Sequence, residues 1–171
     1  MLVSLEEGVD RKVAEVVYGV VRWCRALDWI LARLAPRRPA PELRAVLLVG
    51  LYQLFYLDAA DDHATVHETV EAAKAAGGAA AAGFVNAVLR RAQREREGLR
   101  AELARQPEGV RASHPDALLE RWRARWGGAG TTELCAWDNL RPDLVVRLRS
   151  GGLTPVEFAA RCAAAGHRAT P

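Results

Sequence analysis

Between Gly83 and Arg94 the apolar residues Phe84, Val85, Val88, Leu89 and Ala92 return at helical spacing, while Asn86, Arg90, Gln93, Arg94 and then Glu97 fall on another side. One helix therefore joins a core face to a basic face. Upstream, Asp10 is placed as an N-cap, and Val13, Val16, Val17, Val20 and Val21 form an apolar stripe with Trp23 near its end. Gly19 within that stripe suits a close helix crossing. Leu27, Ile30, Leu31 and Leu34 mark a second helix that Pro36 and Pro39 terminate. Pro41 then stands at a first helical position, and Leu43, Val46, Leu47, Gly50, Leu51, Leu54 and Phe55 trace a helix that is apolar nearly all round, which belongs in the centre. Asp61 and Asp62 can cap the next helix, Val66 and Val70 face inward, and Gly77 and Gly78 close it. The alanines at 79–82 lead into the helix of Phe84 to Ala92, which continues to about Arg105.

Beyond that point the pattern changes. The stretch 107–112, with Pro107 and Gly109, reads as a hinge. Ser113-His114-Pro115-Asp116 reads as a helix start, with Leu118, Leu119, Trp122 and Trp126 as one stripe before Gly127-Gly128, and a short helix follows from Thr131 to Leu140. Leu144 to Arg149 alternates and is β-rich at its centre, so a strand is expected there. Thr154-Pro155-Val156-Glu157 combines an N-cap, a proline at the first helical position and a glutamate at the third, opening a helix to about Ala165, and His167 to Thr170 could begin another strand. The expected fold is mainly α: a helical bundle over 1–106, a hinge at 107–112, and an incomplete α+β subdomain over 113–171.

Composition narrows the class. A chain of 171 residues buries roughly 70% of the surface it would expose unfolded, so a true core is expected. Its apolar half leans on alanine and its aromatics are few, which favours packed helices over a β-sandwich. Net charge is only +3, so any nucleic-acid reading rests on where the charges sit. Nearly all the bases are arginine, Lys12 and Lys74 excepted; the guanidinium fork suits phosphate and stacks on bases, although a GC-rich genome yields the same bias. Cys24, Cys135 and Cys162 are odd in number and lack CxxC spacing, which points to a reducing compartment and structural thiols. No uninterrupted apolar run reaches the length of a membrane span and no signal sequence opens the chain, so no membrane partner and a cytoplasmic setting are expected.

Candidate chemistry concentrates in two basic stretches. From Arg90 to Arg111 seven arginines face four glutamates, a local excess of +3. Arg90, Arg94 and Arg91 have the spacing to line one side for phosphate, and a solvated face laced by Glu–Arg pairs is the competing reading. Asn86 reads as a structural hydrogen-bonding residue of the bundle. In Arg121-Trp122-Arg123-Ala124-Arg125-Trp126 the tryptophans could stack on unpaired bases, but the stripe they share with Leu118 and Leu119 favours core packing, leaving Arg121, Arg123 and Arg125 as RNA candidates. His63 and His67 stand four apart without a third ligand at a recognisable spacing, so no metal site is expected. The glycines 127, 128 and 130 lie between helices and make no cofactor loop.

The segments VYGVVRW (Val17 to Trp23), LDWILA (Leu27 to Ala32), LRAVLLVGLYQLFYLD (Leu43 to Asp58), HETVEAAK (His67 to Lys74) and GFVNAVLRR (Gly83 to Arg91) occur in order. Together they resemble the NusB-like domain at the front of bacterial ribosomal RNA cytosine-5 methyltransferases of the RsmB type. SHPDALLERWRARWG and NLRPDLVVRLR resemble that family's connection into a small subdomain preceding the catalytic domain. The resemblance implies a NusB-like bundle that positions ribosomal RNA for methylation of a small-subunit cytosine. It also implies a covalently following methyltransferase domain that carries the S-adenosylmethionine loop and catalytic cysteines. Nothing between residues 1 and 171 matches that loop or those cysteines, so this stretch is expected to hold no cofactor and to be inactive by itself. Two other classes compete. A stand-alone NusB-like antitermination factor would stop near the end of the bundle, and a helical protein-interaction module would show an exposed apolar groove and no RNA affinity.

Overall fold

A computed structural model describes residues 9–57, 61–141, 146–149, 151–167 and 169, with side chains from residue 12 onward. Seven helices are described: α1 (Val9–Arg22), α2 (Cys24–Leu34), α3 (Pro41–Tyr56), α4 (Asp62–Ala104), α5 (Glu108–Arg111), α6 (Asp116–Asp138) and α7 (Pro155–Ala164). No strand occurs among the described residues, so the fold is mainly α as expected.

The greasy helix α3 is the central one, burying Leu47, Leu48, Leu51, Tyr52, Leu54 and Phe55 against α1, α2 and α4. Leu27 and Ile30 of α2, Leu47 and Leu51 of α3 and Leu89 of α4 are entirely inaccessible, each stabilising the fold by about 1.5–3 kcal/mol relative to exposure. Two glycines permit the crossings. A methyl at Gly19 would overlap the Tyr52 ring, which places α1 directly on α3. One at Gly50 would lie 2.9 Å from Thr69 Cγ2 and 3.1 Å from Leu89 Cδ2, so both limbs of α4 converge on the same spot of α3. The Asp61 carboxylate starts α4 by accepting from the Ala64 amide at 2.8 Å.

Gly77 and Gly78 were expected to end a helix. They do so: both leave helical geometry, Gly78 at φ 72° and ψ −166°, and the range given as α4 comprises two helical limbs, 62–76 and 79–104, that meet at this kink. α4 is long and apolar enough to span a membrane by length and composition alone. The glycine break interrupts the backbone hydrogen-bond ladder that a span in lipid requires. Gly127 (φ 70°, ψ −179°) bends α6 in the same way, at the point where the sequence separates two helices.

The molecule divides into compact units Met1–Asn139 and Leu140–Pro171. The segment 107–112, expected as a hinge, holds α5 and is fastened into the first unit. Ser113, in a left-handed conformation at φ 60°, accepts the Arg25 amide at 3.0 Å and thereby caps α2, whose own N-cap Trp23 supplies no side-chain bond. Arg25 in turn clasps Asp116 through both nitrogens at 2.9 and 2.7 Å and donates to the His114 carbonyl at 2.6 Å. These bonds fasten the chain just after the segment to the first turn of α2.

In the second unit, α7 begins with the expected capping box of Thr154 and Glu157. The strand expected at 144–149 is not formed over its described part: residues 146–149 have no regular structure, and Leu144 and Val145 lie outside the described residues. A strand needs a neighbour to take up its backbone groups, and none is described. Of the second expected strand, His167 and Ala169 are non-regular, and Arg168 and Thr170 lie outside the described residues. The α1 stripe is also only half used. Val16 and Val20 pack on the core, while Val13, Val17, Tyr18 and Val21 are exposed, because α1 lies at the edge of the bundle.

Candidate nucleic-acid interface

The second limb of α4 buries Val85, Val88, Leu89, Ala92, Leu99 and Leu103, and so turns Asn86, Arg90 and Arg94 outward at successive turns. Asn86 is exposed and has no side-chain hydrogen bond among the described residues, against its expected structural role. Arg90 bonds only to the neutral Gln93 oxygen at 3.1 Å, and Gln93 is itself anchored on the Asp62 carbonyl. Arg94 is exposed, and neither Arg90 nor Arg94 forms an ion pair among the described residues. Arg91 differs. Its Nε meets Glu95 at 2.8 Å and its Nη1 donates to the Leu34 carbonyl at 3.2 Å, so it closes the end of α2. The hydrogen bond between them raises the Arg91 guanidinium further and lowers the Glu95 carboxyl. The paired face expected from the Glu–Arg pattern is found at Arg91 and Glu95, while Arg90 and Arg94 lie on a neighbouring strip of the same helix without such pairs among the described residues.

Arg37 and Arg38 were not singled out from the sequence, where they look like punctuation between Pro36 and Pro39. They are exposed, form no ion pair among the described residues, and follow the α2 terminus that Arg91 ties to α4. Arg37 and Arg38 thus lie three and four residues beyond the carbonyl that Arg91 binds. The signal was present as two adjacent arginines in a proline-bounded loop, but its proximity to α4 is tertiary.

The three arginines of α6 do not form one set. Arg123 is held at 2.7 Å by Glu108, a carboxylate only 10% exposed that also receives Arg111 at 3.1 Å and Thr132 at 2.5 Å. Thr132 first, then Arg123, keep the Glu108 carboxyl below its ordinary range. Arg123 thus ties α6 to α5 while remaining exposed, and differs from Arg121 and Arg125 in already holding a carboxylate. Arg121 and Arg125 are exposed on the opposite side, Arg125 lying 5.3 Å from the Trp126 ring centre. Of the tryptophans, Trp122 packs as expected beside His114 and the small cluster of Ala112, Leu119 and Cys135, whereas Trp126 is 51% exposed because the Gly127 bend turns the chain away beneath it. The α6 set starts at the first turn of α2, through Arg25 and Asp116, and the α4 set at its last turn. These points lie about 15 Å apart along the helix axis.

The three cysteines are free thiols. Cys135 is buried, and burial raises its pKa, which disfavours the thiolate. Among the described residues no three histidine, cysteine or acidic side chains converge as metal ligands, and His63 and His67 are exposed on the first limb of α4.

The family model described as the NusB family matches residues 4–94, which end on Arg94 itself. The chain is 39% identical over 156 residues to the probable ribosomal RNA small subunit methyltransferase B of Synechocystis sp., covering 88% of this chain and 35% of that protein. It is 40% identical over 137 residues to the ribosomal RNA small subunit methyltransferase B of Pseudomonas putida, covering 78% and 31%. It is 31% identical over 160 residues to the probable methyltransferase of that name from Bacillus subtilis, covering 90% and 35%. The chain spans about a third of the length of these relatives.

Proposed function

The chain belongs to the NusB family, and from that premise we propose that it is an RNA-binding region that holds small-subunit ribosomal RNA for cytosine-5 methylation. The chemistry itself would be done by a separate S-adenosylmethionine-dependent domain of the kind its longer relatives have room for. The observation that carries the reading is the pair Arg90 and Arg94, neither of which forms an ion pair among the described residues, on the limb where the core helix meets solvent. Desolvating an ion-paired arginine forfeits its existing partner, so the unpaired ones take phosphate at lower cost. Arg37 and Arg38 extend this strip, and Arg121 and Arg125 offer a second contact along the chain. Phosphate contacts of this kind fix register and orientation and carry little sequence information, which suits positioning of an RNA whose modified base is read elsewhere. A ribosomal RNA substrate would put the activity in the cytoplasm.

The test is binding of a small-subunit ribosomal RNA fragment to the whole chain. Arg90→Ala with Arg94→Ala weakens binding and flattens its salt dependence without change in helical content, and adding Arg91→Ala deepens the loss only slightly. Unaltered affinity and salt slope in the double variant would remove this face from consideration as the RNA site.

A further inference from the structure

A second feature lies near the first compact unit's basic junctions but belongs to neither. Where the end of α1, the last turn of α3, the second limb of α4 and α5 meet, Trp23, Phe55, Tyr56, Arg100, Leu103 and Arg111 line an open groove of about 320 Å³. A column of stacked rings leads into it. The buried Tyr52 lies 5.8 Å from Tyr56 at an interplanar angle of 14°, and Tyr56 lies 4.5 Å from Trp23 at 23°. Offset stacks at these separations are favourable, and the column ends on a half-buried indole at the groove wall. The other wall carries the guanidinium groups of Arg100 and Arg111, each of which also meets one glutamate outside the lining, Glu97 and Glu108, at 3.1 Å. Arg100 is pre-positioned by the Phe55 carbonyl at 3.0 Å, the Phe55 ring at 6.0 Å and Glu97 at 3.1 Å. Arg111 shares Glu108 with two other donors, which leaves most of its five N–H groups unused.

We infer that this groove takes one unpaired nucleotide of the bound RNA, its base continuing the Tyr52–Tyr56–Trp23 column and its phosphate lying on Arg100 and Arg111. This rests on the RNA-binding reading above and adds a preference for single strands to it. A flat π-face beside fixed cations is what single-strand recognition uses, because every base has a face and every residue a phosphate. The volume sits at the small end of ligand pockets, roughly 300–1,000 Å³, and so admits one residue of a polymer and no duplex. A base locked in a helix cannot enter.

The whole chain is titrated with a single-stranded RNA oligomer carrying 2-aminopurine, and with the same sequence annealed to its complement. For the wild type the expected result is quenching of the fluorophore in the single strand only, with tighter binding of the single strand. Trp23→Leu should abolish the quench and weaken single-strand binding roughly 5- to 150-fold, the span of one stacked base, while duplex binding is unchanged. Because Trp23 packs partly on the core, Arg111→Gln is the second variant. It should retain the quench, weaken affinity and lower the salt slope by about one contact. Quenching and affinity that persist in Trp23→Leu, together with an unchanged salt slope in Arg111→Gln, would overturn the groove while leaving the basic strip of α4 intact. If neither form of RNA binds the wild type at low salt, both this inference and the RNA-binding reading fall.

Discussion

Gly19→Ala sets two sizeable effects against each other at one atom. In an exposed helix interior, alanine stabilises over glycine by about 1 kcal/mol through lower backbone entropy in the unfolded chain. At Gly19 the added methyl would lie 2.5 Å from Tyr52 Cε1 and closer still to the ring carbon and hydroxyl beyond it. The ring has nowhere to go. Tyr52 is 3% exposed, its hydroxyl donates to Glu15 at 3.1 Å, and its face is stacked on Tyr56. Relief requires α1 to retreat from α3, so the cost belongs at the upper end of overpacking, about 3 kcal/mol. The net expectation is a loss of about 2 kcal/mol, a fall in Tm of about 4–8 °C for a chain of this length. The control is Gly98→Ala, on the same kind of helix with nothing within 4 Å of the new methyl, which should gain about 0.5–1 kcal/mol. Urea and thermal denaturation followed by far-UV circular dichroism compare the two. Stabilisation of both variants alike would refute the close α1–α3 crossing.

Other expectations follow from single contacts. Leu89→Ala, at a fully buried side chain where α4 meets Gly50, should lose about 2–5 kcal/mol in urea titration. Ser113→Ala removes the remote cap of α2 and should lose about 1 kcal/mol, with faster amide exchange at Arg25 as the local signature. Asp61 is held below its ordinary value of 3.8, first by the Ala64 amide and then by that of His63, so its contribution is present above that value and lost as pH falls through the lower folded one. Asp61→Asn keeps a cap without the charge. Its urea midpoint should lie below the wild type's at neutral pH and converge with it in acid. Gly127→Ala forces a side chain into a conformation open essentially to glycine alone, and should lose about 1–3 kcal/mol by thermal denaturation.

Much of the architecture could be read from spacing and punctuation. Pro41 at a helix start, the near-continuous apolar run to Phe55, the Asp61 cap and the Thr154 capping box are local statements, and each is found where expected. What local pattern could not supply was whether an element finds a partner. Gly77-Gly78 and Gly127 interrupt the helices where expected, but that the two limbs of α4 then fold back on the same spot of α3 at Gly50 is a tertiary fact no local pattern supplies. Residues 107–112 look like a hinge because of Pro107 and Gly109, yet Gly109 is there to admit Asp116 and Arg25. The same holds for the candidate site. Arg90, Arg91, Arg94 and Arg123 are indistinguishable as letters, and only Glu95, the Leu34 carbonyl and Glu108 separate the paired arginines from the others. Arg37 and Arg38 carry no local signal of this kind, because the bond that ties the neighbouring α2 terminus to α4 spans 57 residues of chain.

The central claim is that arginines without an ion pair among the described residues, on α4 and just beyond α2, bind RNA phosphate. Its most direct measurement is the affinity of the whole chain for a small-subunit ribosomal RNA fragment as a function of salt. If Arg37, Arg38, Arg90 and Arg94 each meet one phosphate, the slope of log K against log salt is about −3, at roughly 0.7 per contact on single strands, and affinity falls roughly 50-fold between 50 and 200 mM salt. Affinity that is flat across that range, or no binding at 50 mM, would contradict it.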